Sequence, residues 1–258
     1  MVKSIPLPDP TADKKVLRGP PWNIRNWTNS ERAKLEDGAL SITHDARSVG
    51  MNSGCGFHCN PLDTFPVDRA VLEYEVFFPK NFEWVKGGKL PGMGIGAGTE
   101  SATGGEWCAD GGSFRVMWRE RGQAIGYLYL PLHIATNKKR DSTILIQKDA
   151  FEKAADRSLG KPAGIDLWFH SGKPMFFKRG SWNTVRMELR MNTTGRFDGG
   201  IKLTINDETR ELDDVLFRKR NDIKINQMIF ASFFGGSGSE WRAKKPEVIR
   251  YRNFSFGN

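Results

Sequence analysis

Polar and apolar residues alternate with a period of two along most of this chain. The clearest case is V-L-E-Y-E-V-F-F at 71–78, with Leu72, Tyr74, Val76 and Phe78 on one face and Glu73 and Glu75 on the other. Successive side chains of a strand point to opposite faces, so this pattern predicts a half-buried strand. The same period returns in A-L-S-I-T-H (39–44), S-F-R-V-M-W (113–118), I-D-L-W-F-H (165–170), T-V-R-M-E-L-R-M (184–191), G-I-K-L-T-I-N (200–206), Q-M-I-F-A-S-F-F (227–234) and I-R-Y-R-N-F-S-F (249–256). Only D-A-F-E-K-A-A-D-R (149–157) has helical character, and the basic stretch N-K-K-R-D (137–141) before it reads as a solvated loop. Residues 1–20, rich in Pro and Lys, read as an extended arm, and 48–66, rich in Gly, Asn, Cys and Pro, as a loop. Short strands separated by Gly- and Asp-rich turns predict an all-β antiparallel sandwich or jelly roll. With no compositional break and no internal repeat, residues 21–258 are expected to form one domain.

Two short strands around Arg121 can be registered against each other. Taking Arg121 as the centre leaves Glu120-Arg121-Gly122 as a three-residue loop with Gly last, a hairpin closed by a left-handed glycine. Arg115 then lies opposite Tyr127, and Ser113 opposite Tyr129. Directly opposed residues share a face with Cβ atoms ~5 Å apart. The hairpin therefore predicts a patch of one hydroxyl, one guanidinium and two phenols, with Phe114, Val116 and Trp118 facing the core. Half of the chain's four tyrosines fall in this patch, on strands whose other face is apolar, which favours function over an ordinary solvated face.

Composition narrows the partner. With 39 Lys and Arg against 30 Asp and Glu, the chain carries a net charge of +9, and a basic surface attracts polyanions. Nucleic acid and acidic polysaccharide both fit that charge, but no nucleic-acid-binding motif is present. No apolar run reaches the ~18 residues of a membrane span, and residues 1–15 lack the apolar core and cleavage site of a signal peptide. Cys55, Cys59 and Cys108 do not make a disulfide framework. His58 lies between the first two, but no second ligand cluster follows at zinc-like spacing, so no metal or other cofactor is expected.

The run G-K-L-P-G-M-G-I-G-A-G after Lys86 matches neither phosphate-loop nor dinucleotide spacing, and no helix pattern follows it. Read as a loop, its glycines would let backbone approach a ligand closely, with Lys86 or Lys89 projecting a cation. The loop F-F-G-G-S-G-S-E-W (233–241) places Gly and Ser beside Trp241 and suits a sugar as well as it suits simple turn chemistry. Trp84, Trp107 and Trp241 are candidate stacking platforms, whether for an enzyme or for a non-catalytic carbohydrate-binding jelly roll.

Together, G-G-K-L-P-G (87–92), S-F-R-V-M-W (113–118), Y-L-Y-L-P (127–131), G-S-W-N-T-V (180–185) and F-F-G-G-S-G-S-E-W (233–241) resemble polysaccharide lyase family 14. That family includes alginate lyases of marine molluscs and polyuronate lyases of chlorella viruses, and the related glucuronan lyases share the G-K-L-P-G element. The resemblance runs from about Leu72 to the C-terminus. It implies a jelly roll with a concave basic cleft, an acidic polysaccharide as partner of a monomeric enzyme, and cleavage of 1,4-linked polyuronate by β-elimination. Carried over position by position, it implies Lys89, Ser113, Arg115, Tyr127 and Tyr129 as site residues. In that chemistry Arg115 and Lys89 neutralise the carboxylate and Ser113 orients the substrate, while Lys86, Trp84 and Trp241 add binding contacts. Tyr127 or Tyr129 serves as base and the same or the other as acid, with Lys89 as an alternative base. A tyrosine base requires its pKa of ~10 to be lowered, and Arg115 opposite Tyr127 is expected to lower it.

Overall fold

The computed structural model describes residues 2–101, 103, 108, 110–130, 164–169 and 173–258. Trp107, the basic stretch 137–141 and the expected helix 149–157 lie outside the described residues. In chain order the strands are β1 (Lys3–Ser4), β2 (Ile24–Thr28), β3 (Ala33–Glu36), β4 (Ala39–His44), β5 (Cys55–Cys59), β6 (Arg69–Phe77), β7 (Gly87–Gly96) and β8 (Gly111–Arg119). They continue as β9 (Gln123–Tyr129), β10 (Ile165–Leu167), β11 (Met175–Phe176), β12 (Trp182–Arg190), β13 (Gly199–Ile205), β14 (Glu208–Val215), β15 (Lys224–Phe234) and β16 (Glu247–Gly257). Every segment that alternates in the sequence contributes a strand.

The strands form two antiparallel sheets. One runs β14-β13-β12-β6-β16-β4-β3 with β1 paired to β16; the other runs β10-β9-β8-β7-β15-β5-β2 with β11 paired to β9. Their facing sides make the core. From β6 come Leu72, Tyr74 and Val76, joined by Phe78 just beyond its end, all at most 1% exposed. From the second sheet come Phe57, Phe114, Val116, Trp118 and Phe230. Rings dominate where the sheets meet: Phe57 stacks on Phe230 at 4.5 Å, and Phe78 packs edge-on to Phe82 and Trp118. Removing large rings from water is the main stabilising term of such an interface, roughly 25 cal/mol per Å². Glu73 and Glu75 take the outer face of the first sheet, as their alternation predicts, and pair there with Arg186 and Arg252. Partly solvated pairs of this kind add modest stability.

Two segments read as loops are strands. Residues 48–66 contain β5, and K-G-G-K-L-P-G-M-G-I-G contains β7, which lies mid-sheet with every residue buried. Strands covered on both faces lose the apolar–polar alternation by which strands are recognised. The Pro-rich residues 1–20 are tied to the sandwich: β1 pairs with β16, and Ile5 and Leu17 are buried.

Candidate active site

The β8–β9 hairpin has the register that the sequence predicts. Ser113 pairs with Tyr129, Arg115 with Tyr127, and Glu120–Gly122 close the turn with Gly122 at a φ of 82°. Phe114, Val116 and Trp118 go into the core. Ser113, Arg115, Tyr127 and Tyr129 therefore share the side of the second sheet that faces away from the first. A small second apolar cluster sits there, made of Met117, Ile125 and the two tyrosine rings, with Cys108, Trp168 and Trp241 packed against it.

Lys89 reaches this face through an irregularity in β7. Lys89 pairs with Met117 and Leu90 with Val116, but the next pair is Gly92 with Arg115, so Pro91 is the extra residue of a bulge. Proline has no N–H to donate and is tolerated mid-sheet only at such a place. The bulge resets the alternation, so Lys89 and Gly92, three apart, share the face of Met117 and Arg115, two apart. Gly92 is required by its neighbour: a Cβ there would lie 2.2 Å from the Phe114 carbonyl oxygen and 2.8 Å from Cγ of Arg115. The glycine thus makes room for the arginine side chain, where the sequence suggests room for ligand.

The electrostatics of the cluster are unusual. Arg115 is 1% exposed, and among the described residues no carboxylate pairs with it. Its guanidinium carbon lies 5.8 Å from the Tyr127 ring centroid and 5.5 Å from that of Tyr129. Among the described residues Nε and Nη2 are buried with no hydrogen-bond partner, while a hydrogen bond to Tyr129 helps keep the guanidinium charged. An arginine in that state carries a desolvation cost that a bound anion would offset, and a planar fork with two open donors matches a carboxylate. Lys89 is also buried. Its Nζ lies 2.8 Å from the Met117 sulfur and 2.8 Å from the Tyr127 ring centroid. A thioether and a ring face restore only part of the hydration that an ammonium loses. Burial, with repulsion from Arg115 and Arg119, holds the Lys89 amine well below the usual lysine range.

Tyr127 corrects a second expectation. Its hydroxyl is 3.2 Å from that of Tyr129, and the two rings meet edge to face. Burial is the largest influence on the Tyr127 phenol and raises its pKa, with Tyr129 and Asp166 adding to the rise. Arg115 does lower it, as expected, but is outweighed. Tyr127 is accordingly held as a phenol, a proton donor.

Of the remaining candidates, Trp241 borders the cluster, and Lys86 is half-exposed and 3.5 Å from Glu240, the residue before Trp241. Trp84 does not belong to the site. It is 7% exposed within the main core, tilted against Phe78 and edge-on to Phe82, with its carbonyl accepting from the Trp118 indole. Cys55 and Cys59 point into the core on β5 while His58, between them, points to the opposite face, so the three cannot converge on one metal.

Sequence reasoning passed over Met117, Arg119 and Asp166. The first two continue the period-two series 113, 115, 117, 119, which was the available signal. Asp166 becomes a neighbour only because β10 pairs with β9 and sets it opposite Tyr127.

Comparison with known proteins matches residues 32–254 to polysaccharide lyase 14. The chain belongs to polysaccharide lyase family 14. Among curated proteins it is similar to the exolysin of Paramecium bursaria Chlorella virus 1, 26% identical over 201 residues, which are 72% of this chain but 29% of that protein's length. Among solved structures it is similar to the family 14 alginate lyase from Aplysia kurodai, with a TM-score of 0.80 and 23% identity over 99% of this chain and 98% of the other. It is also similar to the alginate lyase vAL-1 from Chlorella virus, with a TM-score of 0.73 and 23% identity over 95% and 97%. The antiparallel β-sandwich is thus a fold that this chain shares with both alginate lyases.

Proposed function

We propose that this family 14 chain cleaves 1,4-linked polyuronate by β-elimination, leaving 4,5-unsaturated uronate ends. The observation that carries the reading is the buried Arg115 guanidinium with open donors beside a desolvated Lys89 amine. A module that only bound sugar would have no use for an amine driven toward its neutral form.

The reaction needs three things: stabilisation of charge on the carboxylate, a base at C5 and an acid at O4. Arg115, with Ser113 on the same face, takes the uronate carboxylate. Its preorganised positive charge stabilises the carbanion that develops when the α-proton leaves. Lys89 in its neutral form accepts the C5 proton. The C5 electrons form the C4–C5 double bond as the C4–O bond breaks, and a tyrosine phenol donates its proton to O4. Tyr127, kept protonated by burial, suits that donor role, with Tyr129 in hydrogen-bond contact to share it. The ammonium and phenolate left behind return to the starting state by passing the proton back. The family 14 match and the alginate lyase neighbours support a polyuronate substrate.

The test is incubation with glucuronan, polymannuronate and polyguluronate, following ultraviolet absorbance of the conjugated double bond and the masses of the products. Absorbance should rise with at least one polymer. Binding without any rise would return the chain to a carbohydrate-binding role.

A further inference from the structure

The mechanism above leaves one ion pair on the same face without a task. Arg119, last residue of β8, pairs with Asp166 of β10; their side chains are 14% and 28% exposed. Its guanidinium carbon lies 5.8 Å from the Trp168 ring centroid and 5.5 Å from that of Trp241, and its buried Nε has no partner among the described residues. Both indoles pack against the Tyr127–Tyr129 cluster, and Asp166 lies directly opposite Tyr127.

A carboxylate is out of place on a surface that receives a polyanion, because it repels each approaching uronate. Its pairing resolves the conflict. Arg119 is a fork held within reach of two indole rings, the arrangement that fixes a planar carboxylate by two parallel hydrogen bonds while apolar sugar faces lie against aromatic ones. In the free protein one arm of that fork, Nη2, is occupied from within the chain by Asp166.

We propose that Arg119, Trp168 and Trp241 form a second uronate-binding subsite beside the one at Arg115, and that Asp166 fills it until a substrate carboxylate takes its place. The proposal rests on the polyuronate reading. Exchanging one carboxylate for another leaves Arg119, the more buried partner, paired throughout, and the displaced Asp166, 28% exposed, turns to solvent. A purely structural Arg119–Asp166 pair makes the opposite prediction for loss of the aspartate.

Calorimetric binding of saturated polyuronate tetrasaccharides to the full chain carrying Lys89→Met, which blocks turnover, separates the two. Adding Asp166→Asn removes the internal competitor and should tighten binding several-fold. Arg119→Ala should weaken it at least tenfold, and Arg119→Lys should fall between. Asp166→Ser provides the same reading should the asparagine variant fail to fold. Weaker or unchanged binding on removing the aspartate overturns this subsite while leaving the lyase reading intact. Failure of the Lys89→Met protein to bind any of these oligosaccharides overturns both.

Discussion

Arg115 and Tyr127 face each other across the β8–β9 ladder, yet the phenol is held more firmly protonated than a free tyrosine, because burial outweighs the nearby positive charge. That balance turns the tyrosine from a candidate base into a candidate acid.

Tyr127→Phe should therefore lower kcat by roughly 10²-fold or more, the scale of a lost general acid. Tyr129→Phe should cost less, since its hydroxyl, 3.2 Å from that of Tyr127 and hydrogen-bonded to Arg115, supports the donor rather than being the donor. Initial rates from ultraviolet absorbance measure both. Full activity in both variants would remove the phenols from the mechanism.

Lys89→Met should abolish turnover and stabilise the fold at neutral pH. The native amine has a pKa well below that of the unfolded chain. Between the two values the unfolded state binds the extra proton, so stability rises with pH until the unfolded lysine also loses its proton near ~10.4. The methionine variant should melt higher than wild type at pH 7, with the difference shrinking as the pH approaches 10. A difference that grows with pH would contradict a desolvated amine.

Gly164→Ala tests how tightly the acid is held. A Cβ at 164 would stand 2.1 Å from the Tyr127 hydroxyl oxygen, so the phenol must move. The contact is with the hydroxyl end of one side chain, Cζ at 2.3 Å and Cε1 at 2.9 Å, and not with backbone, so the cost should fall more on kcat than on the melting temperature. Loss of both together would indicate a packing role instead.

His44 predicts acid lability away from the site. Its Nε2 lies 2.9 Å from Ser232 Oγ, which in turn meets the Tyr251 hydroxyl at 2.6 Å, all in the core. Burial lowers its pKa to about 4. As pH falls from ~6.5 the unfolded histidine takes up a proton that the native ring refuses, and stability drops by on the order of 3 kcal/mol by pH 4. Denaturant midpoints across that range should show the drop, and His44→Gln should flatten it.

The alternation along the chain fixed most strands and, through the three-residue turn at Glu120–Gly122, the register that gathers Ser113, Arg115, Tyr127 and Tyr129. Both are local properties: the period of a strand and the length of a turn are written in consecutive residues. What is not local escaped that reading. Whether Lys89 joined the cluster depended on the bulge at Pro91 within a strand that looked like a loop, and Trp84 went to the core because its neighbours there are other rings. Asp166 met Tyr127 through a pairing of strands far apart in sequence. The protonation preferences of Lys89 and Tyr127 were decided by how much water the surrounding fold removes, and desolvation depends on every element that packs around a group.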